Sequence, residues 1–244
     1  MNLGLYASTS LNFAQPYDNR NINSPRQGNG DIRSHYTQSL EPSPTPTVHT
    51  RTTSGMRVKN IWKDFFQVRE GNCVTVSAIK AAMVKFGHHP ADIFDTFKST
   101  REGIEVTMKD GVKTAITHAE LEMARASAGF AGRGKVLQHA IVLYALSAKR
   151  AQNEDNDYSA HQGYEAALRS LNDGESPGEA LGRLGLKNHM RKGDVQALKN
   201  GAIGTLATAH HSVAVIDGFI DLWGVKLPLA NSGWEKAPHA WLLV

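Results

Sequence analysis

Cysteine is almost absent from the chain: Cys73 is the only one in 244 residues. A single thiol excludes an internal disulfide framework, so the fold is stable without covalent staples and the thiol can stay reduced. An excess of one charge is lacking too. Lys and Arg number 27 against 23 Asp and Glu, a formal net charge of +4. Residues 1–58 hold five arginines against three acids, and the remainder 22 basic against 20 acidic residues. No segment concentrates cations enough to mark a nucleic-acid surface. Long hydrophobic runs are missing; nowhere do eighteen apolar residues follow one another, which argues against a membrane span. The opening MNLGLYASTSLNFAQPYDNR has no basic region ahead of an apolar stretch, and Asn2 stands where myristoylation needs glycine.

Proline is scarce after residue 58. Five of the nine prolines fall in residues 1–58, among many Ser, Thr, Asn and Gln and without helical or strand period. Such a segment cannot bury enough apolar area to offset its ordering entropy. Residues 1–58 therefore read as a disordered leader and residues 59–244 as the folded domain. A hydrophobic fraction of 41% is ordinary for a globular core.

Within 59–244, VKNIWKDFF is an aromatic run placed to pack beside the next helix. Val76, Ile79, Ala82 or Met83, and Phe86 recur at helical spacing from Asn72, and Gly87 is a stop signal. HPADIFDTFKST reads as a short second helix, and GIEVTMKDGVKTAIT as strands about a KDG turn. HAELEMARASAGF, KVLQHAIVLYALSAKRAQ, YEAALRSL, SPGEALGRLGL and KGDVQALKNG read as helices, the last closed by Gly201. The final 44 residues are strand-like runs split by Gly, Pro and Asp turns. The expected class is α+β, helical first and closing on an antiparallel sheet.

Cys73 sits at the predicted start of a helix, where the dipole favours a thiolate. A small buried hydrophobe is the competing role for it. A nucleophile needs a base, an orienter and an oxyanion donor. Gln67, six positions upstream, can aim a side-chain N–H at an oxyanion beside the Cys73 backbone N–H. In TAHHSVAVIDG, His210 and His211 open a strand. Alternation groups His211 with Val213 and Val215, the more apolar face, which favours His211 as base over His210. Asn231, in LPLANSGW, can accept from the second ring nitrogen of that histidine, with Trp234 over the bond.

Other patterns carry less. GFAGRGKV matches a phosphate-loop spacing, but Val136 replaces the Ser or Thr that would hold magnesium, so a helix–helix link is expected there. His88, His89, His118, His139, His161 and His189 lack ligand-type spacing, and NEDND at 153–157 lacks the alternation of a calcium loop. No cofactor or metal is expected, and nothing marks an oligomeric state.

In order along the chain, Gln67, Cys73, the H-x-V-x-V strand of His211 and Asn231-Ser232 with a nearby tryptophan resemble the papain-like cysteine protease superfamily. The resemblance covers about residues 62–86 and 205–244. It implies a papain-like fold and a hydrolase acting on a protein substrate through Cys73, His211 and Asn231, with Gln67 in the oxyanion hole. The chain departs from that family at Val74, where an aromatic is common, and in the order Asn231-Ser232-Gly233-Trp234. The same residues serve a glutamine deamidase or an acyltransferase, and a non-catalytic interaction protein can keep the scaffold. The polar leader, with no acid before Asp18, resembles the export signal of bacterial type III secreted effectors. That resemblance implies secretion into a host cytosol; a cytoplasmic protein with a disordered tail is the alternative.

Overall fold

The computed structural model describes residues 47–48 and 60–244; the expected leader, residues 1–58, lies outside the described residues except for Thr47 and Val48. The described residues belong to the unit Ser43–Val244. After β1 (Thr47–Val48) come α1 (Ile61–Asp64), β2 (Phe65–Gln67) and the helix α2 (Cys73–Phe86). α2 stops at Gly87, whose φ of +131° no side-chain-bearing residue adopts readily, and whose N–H donates to the Met83 carbonyl at 3.2 Å.

α3 (Pro90–Ile93) is shorter than its sequence suggests. His89 Nδ1 caps it, accepting from the Ala91 N–H at 3.1 Å, and Pro90 takes the first turn. The chain then leaves helix for β3 (Thr96–Ser99), because Thr96-Phe97-Lys98-Ser99 finds a partner strand in β4 (Gly103–Thr107) and buries Phe97. β5 (Lys113–Thr117) returns from a turn in which Gly111 has φ +83°. α4 (His118–Ser127) opens on a reciprocal cap: Thr117 Oγ1 accepts from the Glu120 N–H and Glu120 Oε2 accepts from the Thr117 N–H.

The phosphate-loop-like stretch is not a helix–helix link. It forms β6 (Phe130–Gly132), which pairs antiparallel with β2 and sets Gln67 opposite Phe130. α5 (Gly134–Glu154), α6 (Tyr164–Ser170) and α7 (Glu179–Arg183) complete the helical layer. β7 (Met190–Gly193) and α8 (Val195–Lys199), capped by Asp194, lead into β8 (Gly204–Ala207), β9 (Ser212–Ile216), β10 (Phe219–Leu222), β11 (Val225–Pro228) and β12 (His239–Leu243).

The strands form a four-stranded sheet β1-β3-β4-β5, the pair β2-β6, and a six-stranded antiparallel sheet β11-β10-β9-β8-β12-β7. The class is α+β with a C-terminal sheet. The order differs from helices first and strands last, since six strands precede residue 190. Among the described residues no helix is long and apolar enough to cross a membrane.

α2 lies against the large sheet. Residues 74–83 are buried on every side, and Ala78, Ala81 and Ala82 let neighbouring elements come close. Its main core includes Leu143, Leu146, Leu168 and Leu181 of the helices with Ala214 and Ile216 of β9. A second core behind the sheet joins Leu198, Leu206, Val213, Val215 and Ile220. β9 is thus covered on both faces, and Val213 and Val215 point away from α2. The face expected to turn towards the thiol is therefore the far one.

Candidate active site

Polar residues dock α2 onto the sheet along one stripe. Cys73, Ser77 and Lys80 recur at i, i+4 and i+7 and so share a face. Ser77 Oγ lies 2.8 Å from Ser212 Oγ of β9, and Lys80 Nζ lies 2.7 Å from Asp221 Oδ2 of β10. Cys73, half-buried, begins the stripe.

The helix start is held from outside. Asn72 is completely buried and occupies the N-cap position, yet its side chain does not cap α2. Its Nδ2 donates instead to the Ala128 carbonyl and to Asn172 Oδ1, both at 2.9 Å. Asn172 in turn accepts from the Tyr144 hydroxyl at 3.0 Å and donates to the Ser127 carbonyl at 2.9 Å. The first intrahelical bond is Val76 N–H to the Asn72 carbonyl at 2.9 Å. The N–H of Cys73 consequently has no helical acceptor and, among the described residues, no side-chain cap. A free donor stands beside the sulfur.

Gln67 ends β2. Its Nε2 donates to the Glu70 carbonyl at 2.5 Å, which fixes the orientation of the amide and leaves the second N–H for another acceptor. Cys73, Gln67, His210 and His211 all line one cavity of about 290 Å³, rimmed by Asp173 and Glu175. Two larger cavities, about 650 Å³ each, adjoin it. One shares Pro177 with it and the other Asp173, and neither includes Cys73.

His210 is exposed at the tip of the β8–β9 hairpin; His211 is half-buried where that hairpin closes, its carbonyl accepting from the Thr208 N–H at 2.9 Å. The His211 ring stacks on Trp223 with centroids 5.0 Å apart and meets Trp234 edge-on at 6.0 Å. Burial pushes its pKa below the usual imidazole value, so the ring is neutral near pH 7 and can accept a proton. His211 reaches the thiol cavity from the last pair of the hairpin, not from the strand face that alternation assigned to it.

Among the described residues no hydrogen bond joins Asn231 to His211. Asn231 is exposed, at φ +61°, its backbone N–H donates to Glu235 Oε1 at 3.2 Å, and it does not line the thiol cavity. Its neighbour Trp234 makes the approach instead. A separate, smaller crevice brings Asp221 together with His211 and Gln67. Asp221 and Lys80 are 6% and 0% exposed. Burial raises the pKa of Asp221 and lowers that of Lys80, and the attraction between the two opposes both shifts.

Sequence reasoning passed over Asn72, Lys80, Asp221 and Trp223. The signal for Lys80 was available: a lysine two helical turns after Cys73 continues its stripe. Nothing in the sequence ties Asn72 to Ala128 and Asn172, or Asp221 to Lys80.

No known protein family, curated protein or solved structure matches the chain.

Proposed function

We propose that the chain is a cysteine hydrolase of the papain-like kind, acting on a protein substrate. The observation that carries this reading is the meeting of Cys73, Gln67 and His211 at one cavity, from two ends of the chain. His211, kept neutral by burial, takes the Cys73 proton, and the thiolate sulfur bonds to the substrate carbonyl carbon. The negative oxygen receives the uncapped Cys73 N–H and the second Gln67 N–H. Collapse breaks the carbon–nitrogen bond, and the His211 proton leaves with the amine. Water, deprotonated by His211, then cleaves the thioester and returns the thiol. Asn231 has no part in this sequence. The composition of residues 1–58 supports a host cell as the place of action.

The test is hydrolysis of an unstructured protein by the full chain. Cys73→Ala should lower turnover by about 1,000-fold or more with the thermal midpoint unchanged. Undiminished turnover in that variant overturns the proposal.

A further inference from the structure

Trp223 occupies a backbone conformation that its side chain disfavours. It follows β10 in the two-residue loop Trp223-Gly224, with φ +49° and +83°, and Leu222 pairs with Val225 across it. Loops of this type favour Asn or Asp followed by Gly, and a bulky aromatic at positive φ is an outlier. Strain of this kind persists only where surrounding contacts over-determine it, and it concentrates at functional positions.

Those contacts are present. Asp221 Oδ1 accepts from the Gly224 N–H at 3.2 Å, closing the loop. Asp221 Oδ2 binds Lys80 Nζ, and Lys80 also donates to the Trp62 carbonyl at 3.4 Å. Gly224 packs so closely on Phe66 that a Cβ there would lie 2.9 Å from the ring. The buried pair thus ties the loop to the thiol-bearing helix and to α1, and Gly224 seats it on Phe66 of the strand that ends in Gln67. The product of this arrangement is an indole, itself 57% exposed, laid over the His211 ring.

We propose that Trp223 is a positioning residue for His211, and that the Lys80–Asp221 pair anchors its loop to α2 so that the imidazole stays aimed at the thiol. For its catalytic meaning this rests on the hydrolase reading; the position of the ring can be measured without it. The titratable groups around His211 are Cys73 on α2, Asp173 and Glu175 on the cavity rim, His210 beside it, and Asp221 on β10.

The experiment is an NMR titration of the His211 ring in full-length protein carrying Cys73→Ala, which removes the thiol from the pH window. The parent should titrate below 6.5. Trp223→Asn places a favoured residue in the loop and should leave the thermal midpoint equal or higher, while the His211 midpoint rises towards 6.5 as water reaches the ring. Trp223→Phe should keep the low midpoint. An unmoved midpoint in Trp223→Asn, or a lowered thermal midpoint there, overturns the role of the indole. Lys80→Met combined with Asp221→Leu replaces the pair by apolar groups, a change that buried pairs commonly survive. It should fold and reproduce the rise; failure to fold, or a midpoint left in place, overturns the anchoring role. Turnover of the parent with Cys73 restored tests the hydrolase reading separately.

Discussion

Asn72 shows how a residue can hold a helix start without capping it. Its two donor hydrogens are spent on acceptors 56 and 100 positions away, the Ala128 carbonyl and Asn172 Oδ1. Its own Oδ1 is buried and has no partner among the described residues. The side chain thus acts as a donor, and the start of α2 is left without a side-chain cap, as the proposed hydrolase requires. Asn72→Ala deletes both bonds and leaves the buried Ala128 carbonyl without its donor, while Asn172 Oδ1 keeps the Tyr144 hydroxyl, a cost of about 1–3 kcal/mol. Asn72→Asp is the sharper comparison. Nearly identical in shape, it turns acceptor oxygens towards acceptors and should destabilise at least as much as alanine. Urea denaturation of both variants checks the order; an aspartate as stable as the parent would mean that the site wants volume, not donors. None of this was legible, because both partners belong to segments with no sequence relation to the Gly71-Asn72 start.

Elements with a long period were readable, and those without one were not. α2 declared itself through Val76, Ile79, Met83 and Phe86 with Gly87 behind them, and α4 through the run HAELEMARASAGF. β2 and β6 have three residues each, too few for alternation to register. A GxxxxGK spacing drew attention to the second of them for the wrong reason. Gly132 is the key to that pair. It has φ +140°, and any Cβ would collide with the Asp64 carbonyl across the pairing. Gly132→Ala should therefore cost about 2 kcal/mol or more and loosen β2, whose last residue is Gln67. Turnover should fall further than the loss of folded protein accounts for. Equal losses of activity and folded fraction would show that β6 supports the fold and not the proposed oxyanion donor. β3 failed to be read for a related reason: Asp92-Ile93 continues a helical pattern, and only the partner strand β4 pulls Thr96–Ser99 into a sheet.

Across the whole molecule, α2 is shared by both layers. The main core runs from Ile79 and Met83 of α2 through the helices to Ala214 and Ile216 of the sheet. The order β11-β10-β9-β8-β12-β7 brings the histidine hairpin to this helix, although 138 positions separate His211 from Cys73. Chain order alone could suggest that the two ends meet but not which strand face does the meeting, since burial on both faces of β9 erases the polar–apolar contrast that alternation relies on. Because one helix belongs to both layers, they should unfold together. Ile79 is fully buried in α2, and Ile79→Ala should destabilise by about 2–5 kcal/mol. The destabilisation should shift two signals by the same amount: accessibility of Cys73 to a thiol reagent, which reports the helix start, and tryptophan fluorescence, in which Trp223, Trp234 and Trp241 of the sheet region outnumber Trp62. Coincident transitions in parent and variant would establish a single cooperative unit. If the thiol opened at lower urea than the tryptophans, the helical layer would be separable from the sheet, and the meeting of Cys73 with His211 at one cavity would depend on a docking step and not on the fold as a whole.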